Sequence, residues 1–223
     1  MKDHLTFVGA PPSWGYNAAR ALSGAAFGHK VPLSALRHAV AARARKAGEG
    51  PNWAVIEMTW GLGHDRQVAC YDPPPTQVLA IRRDLAIKAR ADFYFVENGR
   101  PVLAIIQPRR SYNPSDWALA LWAALLRRTL VDGHFAGASL EIFDFSDQGG
   151  KTRVARSLTT MNLPGITDTE VDASLQLLAD AYDDVARMGI DWEAIREARR
   201  ARAAKWAPST DHGRPGQSDM FGG

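Results

Sequence analysis

Asp92-Phe93-Tyr94-Phe95-Val96, then Glu97-Asn98-Gly99-Arg100, then Pro101-Val102-Leu103-Ala104-Ile105-Ile106 is the stretch that decides the fold. Asn-Gly between two apolar runs is the strongest short hairpin signal, because both turn residues tolerate a positive φ. The second run is apolar without a break, which predicts a strand covered on both faces. Downstream, Asn113-Pro114 reads as the start of a long helix, Asn113 as N-cap and Pro114 in the first turn. It is expected to run to about Val131, with Trp117, Leu121 and Leu125 on a wide buried face.

Working outward, Asn17 to Phe27 reads as an alanine-rich helix stopped by Gly28, and a second helix is expected from Pro32 to before Gly48. Trp53 to Trp60 and Val68 to Tyr71 read as strands around the Gly61-Leu62-Gly63 turn, and Val78 to Ala89 as another strand. Ser139 to Phe145 and Lys151 to Leu158 form an expected hairpin closed by a turn over Ser146 to Gly150. Thr167-Asp168-Thr169-Glu170 is a capping box for a helix reaching Met188, and Asp191 caps a last basic helix to about Trp206. The sum is an α/β chain, a mixed sheet flanked by helices. Its expected parts are an N-terminal helical segment (1–50), a sheet core with one long helix (51–160), C-terminal helices (161–206) and a disordered tail (207–223).

The chain has 223 residues, 46% of them hydrophobic and 23% charged, enough apolar material for a sizeable core. No apolar run approaches the roughly 20 residues that cross a bilayer. Met1 to His4 leads into no apolar signal region, and Cys70 is the only cysteine, so no internal disulfide can form. A cytoplasmic setting is expected. The net charge is only +3, but the arginines are grouped. Arg109 and Arg110 follow the apolar strand, and Arg196, Arg199, Arg200 and Arg202 crowd the last helix, six residues suited to non-specific contact with nucleic-acid phosphates. Solvated helix faces are the bland alternative.

The hairpin followed by a helix, over roughly Arg90 to Leu130, resembles the core of the PD-(D/E)XK nuclease-like superfamily. The resemblance implies a restriction-endonuclease-like arrangement in which an Asp opening one strand and an acidic-x-Lys triplet on the next hold a divalent metal. Magnesium, a hard ion, takes oxygen ligands, and the lysine positions the attacking water. Asp92 falls at the first position, as catalytic residue and metal ligand. Ile105-Ile106-Gln107 falls where the triplet is expected, and sliding to Gln107-Pro108-Arg109 still supplies no second acid. The site is read as degenerate, with no cofactor. An active enzyme would use Mg2+ with Asp92, Gln107 and an auxiliary acid, Glu57 or Glu141.

Other chemistry is thin. Gly149-Gly150-Lys151-Thr152 has Phe145 where a phosphate loop needs its first glycine, and the six histidines show no ligand spacing. Cys70 lies in an apolar strand and reads as core. The tail carries the sharpest signal. Gln217-Ser218-Asp219-Met220-Phe221 resembles the pentapeptide by which bacterial replication and repair proteins dock on the β sliding clamp. The resemblance implies that Gln217 fills a small polar subsite while Met220 and Phe221 fill an apolar pocket, with Asp219 at the central position. Two large apolar residues ending a polar tail have no core of their own to join. The expectation is therefore a DNA-associated accessory protein of replication, repair or mobile-element maintenance, its partners the clamp and DNA. The alternatives are a metal-dependent nuclease and a protein-interaction module.

Overall fold

The computed structural model describes residues 15–205. Over them the elements run α1 (Asn17–Phe27), α2 (Leu33–Arg43), α3 (Lys46–Gly63), β1 (Val68–Tyr71), β2 (Gln77–Arg82), β3 (Leu85–Ala89), β4 (Phe93–Glu97), β5 (Arg100–Gln107), α4 (Asp116–Leu130), a short 3-10 turn (Gly133–Phe135), β6 (Ser139–Asp144), β7 (Arg156–Thr159), α5 (Asp168–Arg187) and α6 (Trp192–Lys205). The chain divides into two compact units. The described part of one is residues 15–184, and that of the other is Val185 to Lys205. Among the described residues no helix is long and apolar enough to cross a membrane.

The larger unit is built on a five-stranded mixed sheet of order β1-β4-β5-β6-β7. All its pairs are antiparallel except β5 with β6, which run parallel from Val102↔Ser139 to Gln107↔Asp144 because α4 carries the chain back across the sheet. The β4–β5 turn forms as its sequence predicts, with Asn98 at φ 50° and Gly99 at φ 75°. Side chains of β5 alternate between two cores. Val102, Ala104 and Ile106 join Phe27, Leu36, Val55, Ile56, Phe93 and Phe95 under α1–α3, while Leu103 and Ile105 join Leu119, Ala123 and Leu126 of α4. A strand buried on both faces has no polar alternation, and its sequence has none.

Several elements differ from the sequence reading. Residues 53–60 belong to the helix α3, not to a strand, and the helix expected from Pro32 to before Gly48 is two helices that break at Ala44 and Arg45. The buried positions of α3 (Gly48, Asn52, Val55, Ile56, Thr59, Gly63) do recur at helical spacing, but four of the six carry no apolar side chain, which hides the period. Asn52 is fully buried and acts as a staple. Its Oδ1 accepts from Ala19 N–H in the first turn of α1, and its Nδ2 donates to the Gly15 and Gly48 carbonyls. Gly63 is not a turn residue. A Cβ there would stand 2.0 Å from the Phe27 carbonyl oxygen, so glycine is what lets α3 cross the end of α1.

The run 78–89 is the separate hairpin β2–β3, turning at Arg83 and Asp84. α4 starts two residues later than expected, capped by Ser115, whose Oγ accepts from Ala118 N–H at 3.2 Å. β7 begins at Arg156 rather than Lys151, because Arg153 holds the preceding loop by donating to the Pro108 and Phe145 carbonyls. The capping box of α5 forms reciprocally: Thr167 N–H donates to Glu170 at 2.8 Å and Glu170 N–H to Thr167 Oγ1 at 3.2 Å. Asp191 Oδ1 accepts from Glu193 and Ala194 N–H to open α6.

Candidate functional site

β5 outlasts β4 at one end. Phe93 pairs with Ala104, so the backbone beyond Ile105 has no partner on the β4 side. Asp92 fills the gap with its side chain. One carboxylate oxygen accepts from Ile106 N–H at 2.7 Å, replacing the carbonyl that a longer β4 would have offered. Both oxygens also accept from Arg20 Nη1 of α1, at 2.5 and 2.7 Å, while Arg20 Nη2 donates to the Ile106 carbonyl at 2.9 Å. The Asp92 carboxylate is 1% exposed and the Arg20 side chain 31%. Arg20 was not among the residues singled out in the sequence, and with the partners 72 positions apart no local pattern could have paired them.

Gln107, at the end of β5, is buried and its amide is fully engaged. Its Oε1 accepts from Arg109 N–H, and its Nε2 donates to the Arg109 and Tyr112 carbonyls and, at 3.3 Å, to Asp144 Oδ1. Asp144 ends the neighbouring parallel strand, buried completely. It accepts from Ser146 N–H and Oγ, Gln148 and the Arg156 guanidinium, the last at 2.8 Å. Burial works to lower the Arg156 pKa, but Asp144 and Asp116 outweigh it and the net direction is upward.

Glu57 lies exposed on α3. Glu141 stands in the row Phe93–Ala104–Glu141–Thr159, on the face of α1–α3, and is held elsewhere. Its carboxylate accepts from Arg66 at 2.7 and 3.1 Å and from Ser157 Oγ. Arg66 also donates to both oxygens of Glu97, at 2.8 and 2.7 Å, and its guanidinium sits about 5 Å over the rings of Phe27 and Phe95. The hydrogen bonds to Glu97 drive the Arg66 pKa further up, and Arg66 in turn holds the Glu97 carboxyl below its ordinary value.

The fit to a divalent metal can be tested on these contacts. A magnesium ion needs several free oxygen ligands converging on one point. Here Asp92 is taken up by Arg20 and Ile106, Gln107 turns its oxygen to its own loop, and Glu57 and Glu141 belong to other surroundings. Among the described residues no group of three or more His, Cys, Asp or Glu side chains is placed to hold a metal. The residues do not fit the metal that the family resemblance implies. Cys70 is buried, and burial pushes its thiol up to about 11, which leaves little thiolate at neutral pH.

Two cavities open beside the Arg20–Asp92 pair. One, of about 400 Å3, is walled by Arg20, Lys30, Arg90, Tyr71, Asp72 and Asp92, and the other, of about 230 Å3, by Arg20, Gln107, Tyr112 and Trp122. Of the cationic residues singled out in the sequence, Arg109 and Arg110 are exposed just past β5, Arg110 pairing with Asp147 at 3.5 Å. Arg196 and Arg200 are exposed on α6, in the other unit. The side chains of Arg199 and Arg202, and all of Gln217, Asp219, Met220 and Phe221, lie outside the described residues. Compared with protein-family models, with curated proteins and with solved structures, the chain matches none.

Proposed function

We propose that this chain is a bacterial, cytoplasmic, DNA-associated accessory factor that docks on the β sliding clamp through Gln217–Phe221 and whose nuclease-like sheet does not hydrolyse DNA. One observation carries the non-catalytic half: Arg20 takes both oxygens of Asp92, the position from which the family's metal chemistry would start. The mixed sheet, with a hairpin joined through a helix to a parallel strand, agrees with a restriction-endonuclease-like ancestry for that site. Where such a core would present carboxylates to a metal, this one presents them to guanidinium groups. What remains is a scaffold, and the pentapeptide supplies its address.

The test uses the full chain and the isolated clamp. A peptide spanning Arg214 to Gly223 is expected to bind the clamp, and Phe221→Ala in the full chain to abolish the interaction. Lack of peptide binding, or an unchanged interaction in Phe221→Ala, overturns recruitment. Magnesium-dependent cleavage of plasmid DNA that disappears in Asp92→Ala overturns the non-catalytic half.

A further inference from the structure

We propose that the two cavities flanking Arg20 act as one groove that binds a single-stranded nucleic-acid segment across the Arg20 side chain, with Lys30 and Arg90 on its phosphates and Tyr112 under a base. The inference rests on the DNA-associated reading above and deepens it by naming the form of nucleic acid and the surface that takes it. Arg20 lines both cavities, which therefore lie on either side of its side chain.

Charge favours a polyanion there. Arg20 and Asp92 neutralise each other, which leaves Lys30 and Arg90 opposed, among the described residues that line the larger cavity, only by Asp72. Lys30 is set in place beforehand: its ammonium donates to the Cys70 carbonyl and lies 5.7 Å from the Tyr71 ring centroid. Two donor hydrogens remain for a phosphate. Arg90 is exposed at the same wall.

Aromatic surface favours an unpaired strand over a duplex. Tyr112 is 55% exposed at one end of the groove and Tyr71 45% at the other, with Tyr94 stacked behind Tyr71 at 4.9 Å. An exposed tyrosine such as Tyr112 beside cations suits bases that have left a stack, because every base has a π face and a duplex hides all of its own.

The experiment is fluorescence anisotropy of the full chain with a labelled oligothymidylate of about twelve nucleotides, in 50 and 200 mM salt, against a duplex of equal length. The single strand is expected to bind tighter than the duplex. Lys30→Gln with Arg90→Gln should flatten the log–log salt slope by about 1.4, two lost phosphate contacts on a single strand. Tyr112→Ala should weaken binding about tenfold with the slope unchanged. Asp72→Asn should tighten binding, a change that a merely structural role would not produce. Unchanged slope in the double variant, no tightening in Asp72→Asn, or preference for the duplex overturns the groove and leaves DNA association standing. Failure of the unaltered chain to bind either oligonucleotide at 50 mM salt overturns DNA association itself.

Discussion

Arg66 and Arg20 do the same chemistry on one sheet in opposite settings. Arg66 is the more crowded: two carboxylates take four of its five N–H donors, and two phenylalanine rings face its plane. Arg20 holds a single carboxylate and faces two cavities. The difference teaches where an ion pair belongs to the core and where it belongs to a surface. Losing Arg66 leaves Glu141, 4% exposed, without its cation, whereas losing Asp92 leaves Arg20, 31% exposed, beside water.

The largest effect should therefore come from the crowded cluster. Arg66→Met strands Glu141, whose side chain is 4% exposed, and is expected to cost about 4 kcal/mol in urea unfolding. Adding Glu141→Leu should recover most of the loss, since matched apolar residues replace buried ion pairs at little cost. Asp92→Asn should cost less, about 2 kcal/mol, because the amide oxygen can still accept from Ile106 N–H while the charged contact to Arg20 is weakened. Equal losses at the two sites would abolish the distinction.

The smallest effect concerns pH. Arg66 holds the folded Glu97 carboxyl below its ordinary value, so in the acid range the unfolded chain binds a proton that the folded chain does not. That stabilisation is present above the unfolded pKa of about 4.3 and is lost as pH falls through the folded one. Urea midpoints measured from pH 6 downward should fall, and Glu97→Gln should make the fall shallower. An identical pH profile in the variant would show that Glu97 contributes nothing to acid stability.

How much of this was legible follows a physical line. The β4–β5 hairpin was readable because its turn chemistry and its apolar runs are local, and the capping box of α5 because it spans four residues. Helix α3 was not. Pro51, Gly61 and Gly63 punctuate it, and Asn52, Thr59 and Gly63 hold inward positions through hydrogen bonding or close approach rather than hydrophobicity. Asp92 was found at the head of its strand, because that position is local. Its partner was not, and neither were Arg66 and Arg156, since an arginine's reach in space leaves no trace in sequence spacing. The arginines that stood out were those in runs, while the three that grip the sheet's carboxylates stand apart from those runs.

Strand lengths settle where this molecule is hollow. Had Ala91 and Arg90 continued the ladder alongside Ile106 and Gln107, backbone would occupy the space that now separates two helices at the sheet's rim. A single carboxylate stands in for the missing rungs and takes up far less room than they would. Extending the shorter strand by two rungs would close the opening by drawing Arg90 and Asp92, two residues that line it, into the ladder.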